Sequence, residues 1–234
     1  LEMGVTAIVL SGSRGTLPGF GLMLLVALIG NGRKKMWPRL GLSTTLLVGA
    51  FAVMWTVPWL AAQTRLHDIQ ADLEKYAQGH VDSPIGARLQ FLVLSKDAFT
   101  AHPWTGIGLD RFGTLVDQLP LCRMSEHSLH QPGVCQLGHA HNDLAQWAAT
   151  MGIPGLIMIF AIYLVPLLLF VRLIRAQRPG APVGAAWTGA MLVSVYMLSG
   201  LTQSMFAHAL TTTIYVVFVG LLMGLAMREL CHPA

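Results

Sequence analysis

Charge is scarce in this sequence. Asp, Glu, Lys and Arg make up 11% of its 234 residues, whereas a soluble domain usually carries about a quarter. With hydrophobic residues at 54% and a mean hydropathy of +0.59, an ordinary soluble domain is excluded and an integral membrane protein is expected. Cysteine is scarce as well. Three in the whole chain exclude a disulfide-dense secreted scaffold. Repeats and low-complexity tracts are lacking, which excludes a solenoid. Gly106 and Gly108 form too short and isolated a pair to argue for a nucleotide loop, and a tight turn accounts for them. The chain opens Leu1-Glu2 without an initiator methionine or signal peptide, and the expectation is the C-terminal portion of a longer protein.

What the sequence does have is apolar runs with basic ends. The net charge is +4, yet the Lys and Arg gather at run ends, which is how topology-setting charge looks, and no nucleic-acid partner is expected. Residues 3–10 and 17–29 are apolar and are interrupted at 11–16, where Arg14 stands. A spanning helix needs about 20 residues, so the first run reads as the end of a truncated helix and 11–16 as a turn at the membrane face. Arg14 fits either as an arginine snorkelling at a helix end or as one lining a polar cavity. Arg33, Lys34, Lys35 and Arg39 make a dense basic loop, which places 31–39 in the cytoplasm. Residues 40–62 then span outward, with Trp55 and Trp59 as anchors at the outer interface. Residues 152–171 come back in, ending at Arg172, Arg175 and Arg178; 187–201 go out, 202–208 turn, and 210–227 return to Arg228. The fold class expected is all-α: a polytopic transmembrane helix bundle with a large periplasmic loop containing short amphipathic helices. Its parts are transmembrane helices in 1–62, the periplasmic loop 63–151 carrying the site, and three transmembrane helices in 152–234.

Within the loop, Leu66, Ile69, Leu73 and Tyr76 share one face of an expected helix over 64–78, suited to lying on the membrane or a neighbouring bundle. Ser83-Pro84 reads as an N-cap followed by proline at the first helical position, starting a helix to about Thr100 with Arg88 in its first turn. Residues 121–137 are polar and hold Cys122, Arg123, Glu126, His127, His130 and Cys135. With His139 and His141 close by, zinc must be weighed, but structural zinc sites use tighter Cys and His pairs than this spacing offers. In a periplasmic loop a Cys122–Cys135 disulfide is the better reading, with no metal.

Residues 138–155 sit where the polar segment meets the next apolar run. Leu144, Trp147, Ala148 and Met151 fall at helical spacing, Asn142 or Asp143 suits the N-cap, and Gly152 with Pro154 suits a stop. His141 then stands at the helix start, titratable near neutrality and fixed at a membrane boundary. On local pattern alone, a histidine that merely hydrogen-bonds a neighbour fits at least as well.

His141-Asn142, nine residues, then Gly152-Ile153-Pro154-Gly155 resembles the signature of the O-antigen ligase and polymerase superfamily: His, a small polar residue, a spacer, and Gly-x-x-Gly. Ser13-Arg14-Gly15 resembles the family's first functional arginine and Ile85-Gly86-Ala87-Arg88-Leu89 its second. The turn from His102 to Asp110 resembles the glycine-rich turn after that helix. The likeness covers roughly 11–155. It departs at the Cys- and His-containing insert before the motif and at the missing N-terminal half.

Two arginines and one histidine suit one kind of chemistry. Guanidinium forks bind phosphate oxygens and keep their charge, so Arg14 and Arg88 suit a diphosphate leaving group. A neutral imidazole, His141, suits removal of a proton from an attacking hydroxyl. The resemblance implies the matching activity: transfer of a glycan from undecaprenyl diphosphate to an acceptor hydroxyl on lipid A-core, with inversion and without metal or other cofactor. Asn142, Gln203 and His208 are further candidates for the substrate cavity. Asp110 and Asp143 stay open as metal-type carboxylates. An O-antigen polymerase or a protein O-oligosaccharyltransferase would share the chemistry and differ in acceptor. A transporter of lipid-linked glycan is the alternative of another class, although it would more readily place charges in paired broken helices. The implied location is the bacterial inner membrane, multi-pass, with membrane lipids as surroundings and the active site on the periplasmic face.

Overall fold

The computed structural model describes residues 68–81, 83–125, 133–177 and 184–231. Arg14, the basic loop at 31–39, Trp55, Trp59 and the runs through residue 62 lie outside the described residues, as does Arg178. Those described are helical and contain no strand. They divide into two compact units, one of His67–Ala161 with Gly200–His208, the other including Ile162–Ser199 and Ala209–Ala234.

The first unit begins with α1 (Asp68–Ala77). It buries Asp72 and leaves Leu73 exposed. Next comes α2 (Pro84–Ala101), begun as the sequence indicates: the Ser83 hydroxyl accepts from the Gly86 N–H at 3.0 Å, and Pro84 takes the first position, where a missing N–H costs nothing. Ala87, Phe91 and Ala98 on one side of α2 pack with Phe112 and Val116 of α3 (Phe112–Asp117), Cys122 of α4 (Pro120–Ser125), Val134, Ala140 and Ala149. Cys122 and Cys135 are joined by a disulfide, their Cα atoms 5.5 Å apart. It ties α4 to the short 3₁₀ turn Gly133–Gln136 and so closes one side of this core.

α5 (Asp143–Ala176) is 34 residues long. The stop expected at Gly152 and Pro154 is a break inside it: Gly152 has φ 66° and ψ −146°, a conformation open essentially to glycine alone. Pro154 has no N–H, so the Thr150 carbonyl has lost its helical partner. The 102–108 turn supplies what is missing. Gly108 N–H donates to Thr150 O at 3.0 Å, Ile107 N–H to Ala149 O at 2.9 Å, and Ile153 N–H to Pro103 O at 2.7 Å. A Cβ on Gly152 would run into the Pro103 carbonyl, one on Gly106 into the Thr150–Met151 backbone, and one on Gly155 into the Trp147 carbonyl. Close backbone approach therefore explains the glycines on both sides of the break.

The second unit holds the rest of α5, all but the last residue of α6 (Ala185–Gly200) and the whole of α7 (Ala209–Cys231). α5 and α7 are long and apolar enough to cross a membrane, and large apolar side chains such as Val165, Leu168, Val216 and Leu221 are exposed along them. α6 is equally apolar but has 16 residues, about 24 Å at 1.5 Å per residue, short of the ~30 Å hydrocarbon core. Three tyrosines tie the helices: Tyr163 OH donates to Tyr196 O, Tyr196 OH to Thr211 O, and Tyr215 OH to Ile162 O. Such bonds hold helices together where water cannot.

Candidate active site

The site is built at the N-terminus of α5, within the first unit. Asn142 caps the helix, its Oδ1 accepting from Ala145 N–H at 2.9 Å, while its Nδ2 donates to Leu201 O at 2.9 Å and its backbone N–H to Ser204 Oγ at 3.2 Å. Of the two N-cap candidates Asn142 fills the role. Asp143 is instead buried, 1% exposed, with Oδ1 accepting from Phe206 N–H at 3.3 Å. Cap and first turn thus grip the segment 200–208. Ser204, fully buried, is one anchor that sequence reasoning missed; nothing distinguishes it from any loop serine until the fold brings it in.

That grip positions His141. Its backbone is left-handed, φ 52°, an uncommon state for a non-glycine residue that marks a constrained position. Its ring lies nearly parallel to Phe91, centroids 6.2 Å apart, and Phe91 is itself pinned edge-on by Phe112. Nδ1 is 3.0 Å from Gln203 Oε1. A carbonyl oxygen can only accept, so Nδ1 carries the hydrogen and Nε2 is left as the basic nitrogen. Burial holds the His141 pKa below the ordinary 6.5; the Gln203 bond works the other way, and the Arg88 charge and then His208 lower it further. The imidazole is therefore neutral at neutral pH, as a proton acceptor must be.

Arg88, the fifth residue of α2, and His141 face two cavities together. One, of about 310 Å³, is lined by Ser83, Pro84, Ala87, Val134 and Leu137 besides the pair. The other, of about 230 Å³, has Ile85, Leu89, Leu92, Asn142, Leu201 and Thr202 in its walls. A fixed cation beside a neutral base, with apolar walls around both, can hold an anion and take up a proton within one site.

The sequence candidates Arg88, His141, Asn142 and Gln203 thus come together. His208 does not touch His141 in the same way; its ring packs edge-on to His139, centroids 5.0 Å apart, and His139 packs against His141 at 4.2 Å. His139, to which sequence reasoning gave no role, has its pKa lowered to about 4, chiefly by burial and then by the two neighbouring histidines. Its Nδ1 is buried with no hydrogen-bond partner among the described residues. The His-x-His spacing was the available signal. Arg14 lies outside the described residues. Among those described, no group of three His, Cys, Asp or Glu side chains is placed to hold a metal ion.

A family model described as O-antigen ligase matches residues 3–160. No curated protein matches the chain. The match takes in α2 with Arg88, the clamped turn at 102–108, and the start and break of α5 with His141 and Gly152. By this match the chain belongs to the O-antigen ligase family, membrane proteins of ligase and polymerase type that act on lipid-linked glycans.

Proposed function

We propose that the chain carries the catalytic site of an inverting, metal-independent glycosyltransferase that moves a glycan from undecaprenyl diphosphate to an acceptor hydroxyl on lipid A-core, at the periplasmic face of the bacterial inner membrane. The observation that carries this is the pairing of a neutral His141, its Nδ1 engaged by Gln203, with Arg88 in shared cavities.

The acceptor oxygen attacks the anomeric carbon and its proton passes to His141 Nε2. The bond from that carbon to the diphosphate oxygen breaks on the opposite face, which inverts the centre. Negative charge grows on the departing diphosphate, where Arg88, joined by Arg14, stabilises it. Arginine suits this role because its fork engages two oxygens at once and stays charged. Asn142 and Gln203 hold the base in place, and His208 stands behind it through His139.

The test is a transfer assay on the full-length protein with a defined undecaprenyl-diphosphate glycan, offering lipid A-core, a second lipid-linked glycan and a Ser/Thr peptide in turn. Transfer to lipid A-core is expected. His141→Ala should lower it by about 10²–10⁴, the usual cost of losing a general base, while leaving donor binding largely intact. Wild-type rates in His141→Ala would remove the base. Transfer only to glycan or peptide would make the chain a polymerase or a protein glycosyltransferase, and donor binding without transfer to any acceptor would make it a transporter.

A further inference from the structure

A third cavity in the same unit, about 370 Å³, is lined by Asp110, Gly138, His139, Gln146, Trp147 and Thr150, among others. Its size falls within the range of small-ligand pockets, about 300–1,000 Å³. In chemistry it is the opposite of the two cavities that Arg88 lines. Among the described residues, no Arg or Lys is in its wall. Its titratable groups are Asp110, on an exposed left-handed residue (φ 58°), and His139, which stays neutral at neutral pH. Among the described residues, a diphosphate would meet a carboxylate here and no cation.

A neutral polyhydroxyl ligand meets better partners. The Asp110 carboxylate accepts from adjacent hydroxyls. Gln146 has its Oε1 engaged by the Ala140 N–H at 2.7 Å, so the amide NH₂ is the end turned to a ligand. Thr150 donates its own hydroxyl to Gln146 O at 2.7 Å and keeps lone pairs for accepting. Trp147 supplies an aromatic surface for the C–H face of a sugar ring. The His139 ring in its wall packs against the ring of His141, centroids 4.2 Å apart.

We propose that this cavity is the acceptor subsite and binds the terminal saccharide of the acceptor, bringing one of its hydroxyls to His141. The assignment rests on the transfer reading above and narrows it, since a serine or threonine on a protein needs neither the stacking surface nor the paired acceptors.

The experiment uses the full-length protein in nanodiscs and a soluble, delipidated core oligosaccharide as probe. Binding is followed by saturation-transfer NMR, and acceptor and donor KM are followed separately by transfer. Wild-type protein should bind the oligosaccharide, and His141→Ala should bind it equally while transferring nothing. Trp147→Ala should weaken binding and raise acceptor KM by roughly two- to thirteen-fold, the range for losing one aromatic contact, with donor KM unchanged and Trp147→Phe restoring most of it. Asp110→Asn, on an exposed residue whose left-handed backbone asparagine tolerates, should act in the same direction and carries the test if Trp147→Ala misfolds. Unchanged binding and acceptor KM in both variants would overturn the subsite, as would a rise in donor KM instead. A Ser/Thr peptide that binds in place of the oligosaccharide would also overturn it. Oligosaccharide binding that depends on Trp147 and Asp110, in a protein that transfers to no acceptor, would keep the subsite and sink the transfer reading alone.

Discussion

Gln203 gives the sharpest test of how the base is set up. Its Oε1 accepts from His141 Nδ1 at 3.0 Å, which selects the tautomer with a basic Nε2 and favours the protonated ring. Gln203→Leu removes both effects. A neutral hydrogen bond contributes about 0.5–1.5 kcal/mol net, so kcat should fall roughly two- to thirteen-fold at neutral pH, with donor KM unchanged. The pH dependence gives the sign. Transfer needs neutral imidazole, so the rate is full above the His141 pKa and falls below it. In the wild type that pKa lies below 6.5 because of burial, and the rate should be flat through neutrality and drop only under more acid conditions. Without the Gln203 bond the acid limb should move lower still. Gln203→Glu places a carboxylate against the ring, favours imidazolium, and should move the limb upward. The assay is kcat against pH for the three proteins, with thermal melts to confirm folding. Limbs that stay put, or that move the same way in both variants, would refute the assignment of His141 as a base oriented by Gln203.

Arg88→Lys keeps the charge and loses the bidentate fork, so transfer should fall at least tenfold while an alanine at the same place falls further; equal rates for wild type and lysine would mean a point charge suffices. Gly152→Ala forces a side chain into the Pro103 carbonyl at φ 66° and ψ −146°, a backbone conformation essentially confined to glycine that by itself costs about 1–3 kcal/mol; a melting temperature no lower than wild type would contradict the clamp. Breaking the Cys122–Cys135 bond, whose cysteines are 13 apart in sequence, should cost about 3 kcal/mol on the chain-entropy account. Under denaturing alkylation without reductant only Cys231, the free and exposed cysteine, should label. Single cysteines at Gln78 and Arg175 should react oppositely with an impermeant thiol reagent, and equal labelling of both would end the proposed topology.

The parts legible in the sequence were those written in local chemistry. Ser83-Pro84 announces the start of α2 because a hydroxyl cap and a proline each solve a helix-terminus problem without tertiary help. His141, Arg88 and the Gly-x-x-Gly could be picked out by their resemblance to a family, and the fold brings Arg88 and His141 into shared cavities. Less legible was the meaning of Gly152-Ile153-Pro154. A stop and a break share the same residues, and what decides between them is a turn 44 to 50 residues earlier that lends donors to Ala149 and Thr150. Likewise nothing in the α1 sequence marks Asp72 as a residue that the fold buries. Ser204 and Phe91 have no signature, since their roles consist entirely of what lies across from them.

The link between His141 and Gln203 spans 62 residues of sequence, and this sets an order of events during synthesis. Arg88 and His141 leave the ribosome well before Gln203 and Ser204 exist. Until that later segment arrives, the Asn142 N–H lacks Ser204, the Asp143 carboxylate lacks the Phe206 N–H, and the imidazole has no acceptor to choose its tautomer. A nascent chain or a fragment ending near Gly200 would hold the cation and the histidine yet be catalytically immature. On the mechanism proposed above, competence is conferred by the short turn between α6 and α7, and the base is oriented only once that turn has been made.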